Sequence, residues 1–179
     1  RDILKRYYKK KGATRRKDQI LIKEGYRTII SFEIALAMAY LHSIKVIHRD
    51  LNTTNIYINK DMTPLISNFV NSCFQADKST GNTLNPDINS VFRAPELMAV
   101  LDYDQSVDVF AFGTVLYEIL TNHPPFCDES PKEIENLVKS GKRPPIPDDT
   151  PEKLKDLIDR CWSQTPDKRP SFPSIIDDM

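Results

Sequence analysis

The sequence predicts a mainly α-helical domain with a small β element. Apolar residues recur at helical spacing over much of the chain, whereas the strand-like apolar runs are short and lie between residues 46 and 66. The chain has 179 residues, of which 40% are hydrophobic and 28% are charged. This is enough for one domain, or for one large lobe of a two-lobed domain, with a core of its own.

The first half of the chain predicts two helices and three short strands. Residues 2–11 indicate a short basic helix, and apolar spacing over residues 28–42 indicates a longer one. Residues 71–90 are rich in Ser, Thr, Asn and Asp and predict a long loop, and loops of that length are commonly functional or disordered. The three predicted strands are residues 46–47, 56–58 and 65–66.

The second half predicts three helices. Residues 105–120 are apolar on nearly every side, which indicates a central buried helix. Residues 130–133 (SPKE) form a helix start with a capping serine, a proline at the first helical position and a capping box, and Gly141 is expected to end this helix. Pro151 begins another helix. Its predicted inner face consists of Leu154, Leu157, Ile158 and Cys161.

Charge and cysteine usage narrow the function classes. Lys and Arg together number 25, as do Asp and Glu, so the net charge of zero favours neither nucleic acid nor membrane. A basic run at residues 9–17 is interpreted as a solvated loop because no aromatic platform accompanies it. The sequence contains no stretch that predicts a membrane span or a signal peptide. The widely spaced Cys73, Cys127 and Cys161 argue against a disulfide framework and against a zinc site. This cysteine pattern indicates a reducing compartment, so the sequence predicts a cytoplasmic, intracellular protein.

One polar segment between two predicted strands carries the strongest chemical signal. Residues 48–55 (HRDLNTTN) resemble the HRDLxxxN catalytic loop of protein kinases. Phosphoryl transfer needs an aspartate that accepts the proton of the attacking hydroxyl and, five residues later, an amide oxygen that holds Mg²⁺. Asp50 and Asn55 have this spacing. The alternative interpretation is an ordinary polar turn, and it is disfavoured because further motifs accompany the segment.

Four further motifs follow in the order found in that family. Residues 68–70 (NFV) stand where the family has DFG, and residues 94–96 (APE) match its APE motif. Residues 108–113 (DVFAFG) and 161–172 (CWSQTPDKRPSF) resemble the central helix and the closing segment of the tyrosine-kinase-like group. The chain is thus similar to the C-terminal lobe of protein kinases. The implied parts are a catalytic loop at 46–58, an activation segment at 68–96 and a helical subdomain at 105–179.

The resemblance implies structural roles for several of these residues. Glu96 is expected to form an ion pair with Arg169 that ties the activation segment to the last helices. Asp108 is expected to hold the backbone of the catalytic loop, and His48 and Phe69 are expected to stack in the hydrophobic spine. These roles stabilise the fold and involve no chemistry.

The resemblance also assigns Arg49 as the receptor of a phosphate on the activation segment, where an arginine–phosphate pair orders the loop. An unmodified loop is nevertheless the favoured interpretation. The candidate phosphorylation sites are Ser72, Ser79, Thr80 and Thr83.

Positions that handle phosphate and metal depart from the family pattern. Asn68 replaces the DFG aspartate, an anionic Mg²⁺ ligand, so metal binding at Asn55 and Asn68 is expected to be weakened. Asn52 replaces the lysine that neutralises the transferred phosphate, and Val70 replaces the DFG glycine. Tyr57 stands at the floor under the adenine ring. It either fills the nucleotide pocket or stacks beneath a bound nucleotide.

Two family features of the N-terminal lobe, the glycine-rich loop and the strand lysine, have no counterpart in the sequence. The chain is therefore expected to be the C-terminal lobe alone. An exposed surface around Tyr57 and Phe69 is then expected to favour association with a protein. Asn89 and residues 91–92 match neither the Ser/Thr nor the Tyr pattern of substrate recognition.

Two functions follow as hypotheses. The favoured one, supported by Asn52, Asn68 and Val70, is a catalytically impaired, pseudokinase-like module that acts through protein interaction or regulates a partner kinase, and that needs no cofactor. The other is the C-terminal part of an active kinase of the tyrosine-kinase-like group, which uses Mg-ATP and a protein substrate. Asp50 and Asn55 support this second hypothesis.

Overall fold

The computed structural model describes residues 24–77, 90–99 and 102–179, and the basic helix predicted over residues 2–11 lies outside them. The described residues form a helical body with two small antiparallel sheets at one side. The helices are α1 Glu24–Ser43, α2 Pro95–Met98, α3 Ser106–Thr121, α4 Pro131–Lys139, α5 Glu152–Cys161 and α6 Phe172–Asp178. The strands are β1 Val46–Ile47, β2 Ile56–Ile58, β3 Pro64–Ile66 and β4 Cys73–Phe74.

The two sheets flank the candidate catalytic loop. β2 pairs with β3, and β1 pairs with β4 in a register that sets Val46 opposite Phe74. The three predicted strands are confirmed. The long loop predicted over residues 71–90 is wrong at residues 73–77, which form β4 and a 3₁₀ turn, and its residues 78–89 lie outside the described part of the chain. Two-residue strands take their definition from a partner distant in sequence, so local composition did not reveal β4.

The central helix α3 organises the core. Every residue from Val107 to Ile119 is buried, which confirms the predicted buried helix. The helix packs against α1 on one side and α5 on another. On the α5 side the indole Nε1 of Trp162 donates a hydrogen bond of 3.0 Å to Thr114 Oγ1. On the α6 side Phe172 packs edge-to-face on Phe112, with ring centroids 5.4 Å apart.

Helix ends follow the local sequence signals closely. Ser130 accepts a hydrogen bond from the Glu133 backbone N–H, and the Glu133 carboxylate accepts one from the Ser130 N–H, so the predicted capping box is present. Gly141 lies just beyond α4 with φ of 84°, a left-handed conformation suited to glycine. Helix α1 begins at Glu24, four residues before the predicted start, and on α5 Leu154 is only partly buried.

Gly113 is expected to tolerate no side chain, because it lies where α3 and α5 approach closely. A Cβ atom there would lie 2.7 Å from Cys161 Cβ and 3.1 Å from Trp162 Cδ1. We expect Gly113→Ala to lower the free energy of unfolding by about 1 to 3 kcal/mol through overpacking. Urea denaturation measures this, with Gly25→Ala as the control, because nothing lies within 4 Å of a Cβ added at Gly25. Equal stability of the two variants would contradict the prediction.

All three cysteines are free thiols. Cys161 is fully buried, and burial raises the pKa of its thiol to about 12, so it stays protonated and packs as an apolar residue. Among the helices of the described residues, none combines the length and the apolar character needed to cross a bilayer.

Candidate active site

The segment from His48 to Asn55 is held in place by the carboxylate of Asp108 in the first turn of α3. Asp108 Oδ2 accepts a hydrogen bond from the His48 backbone N–H and Oδ1 accepts one from the Arg49 N–H, both at 2.8 Å. His42 Nε2 lies 3.0 Å from the same carboxylate. Arg49 has a φ of 63°, a left-handed conformation that is costly for a residue with a Cβ atom. The two hydrogen bonds that the Asp108 carboxylate accepts offset this cost.

Asn52 shapes the rest of the segment. Its Oδ1 accepts hydrogen bonds from the N–H groups of Thr54 and Asn55 and so caps the 3₁₀ turn Thr53–Asn55. Its Nδ2 donates to the backbone oxygen of Asp50 at 2.9 Å and to Asp50 Oδ1 at 2.8 Å. At the position where the resemblance places a lysine, Asn52 therefore supplies one hydrogen bond to the carboxylate but no charge.

Three asparagine amides surround the Asp50 carboxylate, which is only 9% exposed. Besides Asn52, Asn68 Nδ2 donates to Asp50 Oδ2 at 2.9 Å and Asn71 Nδ2 donates to the same oxygen at 3.3 Å. Burial raises the pKa of Asp50 above its ordinary value of 3.8, and hydrogen bonds from neighbouring asparagines together with His48 oppose part of that rise. The cluster stabilises a carboxylate with neutral donors.

Asn68 lies between the two residues that the resemblance assigns to catalysis and metal binding. Its backbone is left-handed (φ 65°, ψ 62°), which asparagine tolerates better than most residues. Its Nδ2 lies 2.9 Å from Asp50 Oδ2 and 3.3 Å from Asn55 Oδ1. Because the ionised carboxylate only accepts hydrogen bonds, Asn68 has to present its NH₂ group there.

This arrangement does not fit Mg²⁺. The ion needs oxygen ligands at about 2.0–2.1 Å, whereas Asn68 directs an N–H donor at the oxygens of Asp50 and Asn55. With its NH₂ group directed at these two oxygens, Asn68 presents no oxygen ligand between Asp50 and Asn55.

Exposed apolar side chains directly follow Asn68 in the chain and also occur on β3. Phe69 is 46% exposed although it packs edge-to-face on His48, with ring centroids 5.0 Å apart. Val70 is 87% exposed, and Leu65 on β3 is 52% exposed. Tyr57 on β2 is half-buried. Of the two residues around which an exposed surface was expected, Phe69 is exposed and Tyr57 is only partly exposed.

The ion pair expected between Glu96 and Arg169 is present. The two guanidinium Nη atoms donate to the two carboxylate oxygens at 2.5 and 2.9 Å. The Arg169 side chain is fully buried and that of Glu96 is 7% exposed. A buried bidentate pair of this kind joins α2 to the segment before α6.

Arg49 makes contacts that the sequence did not suggest. Its Nε donates to the backbone oxygen of Asn71 and its Nη1 donates to the Tyr103 hydroxyl at 2.9 Å. Asn71 and Tyr103 were absent from the predicted site, and only the polar character of Asn71, next to the NFV motif, hinted at a role. Among the candidate phosphorylation sites, Ser72 donates to the His48 carbonyl at 3.2 Å. The other three, and Asn89, lie outside the described residues.

Comparison with known proteins places this chain in a family. Residues 4–179 match the family model described as protein tyrosine and serine/threonine kinase. A "probable LIM domain-containing serine/threonine-protein kinase" of Dictyostelium discoideum is 41% identical over 95% of this chain. The serine/threonine/tyrosine-protein kinase HT1 of Arabidopsis thaliana and the dual specificity protein kinase shkB of D. discoideum are 37% and 33% identical, each over 82% of the chain.

The match covers only part of each relative. The chain spans 26%, 37% and 23% of the lengths of these three proteins, respectively. The family model, in contrast, matches almost the entire chain, and the ordered motifs and the Glu96–Arg169 and Asp108 contacts lie within the match. The chain therefore belongs to the protein tyrosine and serine/threonine kinase family.

Proposed function

We propose that this chain is a protein kinase domain with impaired phosphoryl transfer, which acts in signalling by binding a protein or by regulating a partner kinase. The observation that carries the proposal is the amide of Asn68, whose NH₂ group lies between Asp50 Oδ2 and Asn55 Oδ1. In the family's mechanism these positions hold the cation that neutralises the charge developing on the phosphoryl group.

The loss of charge at this site is twofold. Asn68 brings no anion with which to bind a divalent cation, and Asn52 brings no cation to the transferred phosphate. Both side chains instead donate hydrogen bonds to Asp50. Electrostatic stabilisation of the transition state is usually the largest single contribution to catalysis, and removal of one such group commonly costs about 10² or more in rate.

We also propose that this chain represents the C-terminal lobe of the kinase fold. The order of the motifs from residue 48 to residue 172 supports this assignment. Phe69 and Val70, which directly follow Asn68 in the chain, and Leu65 on β3 have exposed apolar side chains, and exposed apolar patches favour association. In this proposal these side chains contact protein, and the function does not require bound nucleotide.

An active enzyme is the second candidate function. Asp50 keeps its carboxylate, and Asn55 Nδ2 donates to the Asp50 backbone oxygen at 2.8 Å, so the two residues of the motif are in direct contact. The relatives named above are described as kinases. An active form would transfer the γ-phosphate of Mg-ATP to a protein hydroxyl, with Asp50 accepting the proton of that hydroxyl.

A thermal-shift titration with Mg-ATP distinguishes the two candidates. We expect no Mg²⁺-dependent rise in Tm for the chain, or for the longest natural form that contains it, at millimolar nucleotide. We expect Asn68→Asp to gain a rise of about 3 to 6 °C at ten times its Kd, because it restores an anionic ligand and ligand binding stabilises the native state by mass action.

Asn59→Asp is the matched control, because it adds the same charge in the turn between β2 and β3, where Asn59 accepts backbone hydrogen bonds. A clear Mg²⁺-dependent shift in the unmodified longer form, together with phosphate transfer that Asp50→Asn abolishes, would overturn the proposal in favour of the active enzyme.

A further inference from the structure

The outward side of α1 carries a stripe of apolar side chains. Four of them are between 43% and 65% exposed, namely Tyr26, Ile29, Leu36 and Tyr40. Successive members are three, seven and four residues apart, which places them on one side of an α-helix. Phe32 is half-buried and lies on the same side between Ile29 and Leu36. These five residues are called the α1 stripe below.

The α1 stripe is a second apolar face on a helix that already buries one. Ile30, Ile34 and Met38 on the opposite side are each no more than 1% exposed, and α1 packs against α3, α6, β1 and β3. A surface helix usually carries polar residues opposite its buried face. With 3.6 residues per turn and a rise of 1.5 Å, the stripe covers an arc of about 120° and a length of about 21 Å. Exposed apolar patches of this kind mark interaction sites.

One carboxylate lies in the middle of the α1 stripe. Glu33 is seven residues from both Tyr26 and Tyr40. Within the described part of the chain its Oε2 is shielded from water and has no hydrogen-bond partner. None of the ion pairs formed among residues 24–77, 90–99 and 102–179 includes Glu33. Because a shielded carboxylate oxygen without a donor is costly, this position favours a cation from a binding partner.

The central position of Glu33 disfavours a second copy of this chain as that partner. In a two-fold symmetric pair, the midpoint of the shared face lies near the axis and meets itself. The two Glu33 carboxylates would then face each other in an apolar contact, where like charges repel strongly. An anionic lipid surface is disfavoured for a related reason, because it attracts Lys and Arg and repels a carboxylate.

An amphipathic helix from another protein matches both the apolar residues and the charge. Side-chain ridges of one helix pack into the grooves of another at an interaxial distance of about 8–10 Å. About four turns of a partner helix would cover the length of the stripe. Arginine is the cation best suited to a partly buried pair, because its guanidinium is weakly hydrated and can bind both carboxylate oxygens.

We propose that the α1 stripe binds an amphipathic α-helix of a partner protein, whose apolar side chains cover the stripe and whose arginine pairs with Glu33. The inference rests on the proposed function only in that the chain acts by binding protein. It assigns this binding to a different set of residues from Leu65, Phe69 and Val70.

Two synthetic peptides test the proposal on the full chain by fluorescence anisotropy. Both are amphipathic helices of about 18 residues with leucine at every third or fourth position. One carries a single arginine in the middle, beside its apolar face, and the other carries glutamate at the same place. We expect the arginine peptide to bind the unmodified chain about tenfold or more tightly than the glutamate peptide, as a partly buried charge pair implies.

Variants of Glu33 test the pairing itself. Glu33→Gln keeps the shape of the side chain and should remove the preference for the arginine peptide, whereas Glu33→Arg should reverse it. The matched control is Glu129→Arg, which makes the same exchange at an exposed carboxylate outside α1 and should keep the original preference.

Variants of the apolar residues test the location. Leu36→Gln and Tyr40→Gln should each weaken binding of both peptides about fivefold or more, because each removes apolar contact area. Both positions are exposed and glutamine is a good helix former, so the Tm of each variant should stay near that of the unmodified chain. Circular dichroism measures this Tm.

Several results would overturn the inference. They are equal binding of the two peptides or none at millimolar concentration, an unchanged preference in Glu33→Arg, tighter binding to phosphatidylserine vesicles than to either peptide, and a dimer that Leu36→Gln dissociates in analytical ultracentrifugation. Loss of peptide binding in Val70→Gln but not in Leu36→Gln would also contradict it, yet would leave the proposed function standing. Phosphate transfer from Mg-ATP would instead overturn the proposed function without changing the peptide result.

Discussion

Glu96→Ala is expected to lower the free energy of unfolding by about 3 to 5 kcal/mol, because it leaves a buried arginine without its counter-ion. The Arg169 side chain is fully buried, and its two Nη atoms both donate to the Glu96 carboxylate. Its remaining contacts, Nε to the Ser163 carbonyl and Nη1 to the Ser106 carbonyl, bring no charge. Chemical denaturation with a common m-value measures the loss.

An exposed ion pair provides the matched control for this prediction. Arg160 and Asp178 form a contact of 2.8 Å, but their side chains are 37% and 40% exposed, so Asp178→Ala should cost about 1 kcal/mol or less. The double variant Glu96→Leu/Arg169→Met should recover much of the loss, since replacing both members of a buried pair is often nearly neutral. A loss below about 1 kcal/mol in Glu96→Ala would contradict the assignment of a buried, stabilising pair.

Asp108→Ala is expected to have an effect of similar size and to act directly on the active site. It leaves the backbone N–H groups of His48 and Arg49 without acceptors in a buried environment. Each unsatisfied buried donor costs about 1 to 3 kcal/mol, so we expect a total loss of about 3 kcal/mol or more. Because Arg49 is held in a left-handed conformation, local hydrogen exchange of residues 46–55 should also rise.

Asp177→Ala is the control for Asp108→Ala, because the same chemical change at an exposed aspartate of α6 should alter stability by about 0.5 kcal/mol or less. If Asp108→Ala were equally mild, or if exchange in residues 46–55 stayed at the unmodified rate, the carboxylate would not be what holds the catalytic loop.

Elements with strong local signals were predictable from the sequence. The capping box at Ser130 and the left-handed Gly141 depend on contacts within a few residues, and the structure has both. The all-round apolar character of α3 indicated its central position, since only a helix covered on every side can be apolar on every side. Elements whose definition needs a distant partner, such as β4, were missed.

The same division applies to the candidate site. The types and spacing of Asp50, Asn55 and Asn68 follow from the sequence, because a motif is a local pattern. Tyr103 joined the site only in the folded chain, since 54 positions separate it from Arg49. The pairing of Asn71 with Asp50 likewise spans 21 positions and connects two loops.

By itself, the sequence determined the family, the order of the motifs, and which catalytic positions carry an amide in place of a charge. Only the tertiary structure decided what those amides do. Asn68 Nδ2 is directed at Asp50 and Asn55, because the left-handed backbone at residue 68 brings its side chain against two oxygens from another loop. A side chain's identity is local, but its hydrogen-bond partners depend on the packing of segments that are distant in the chain.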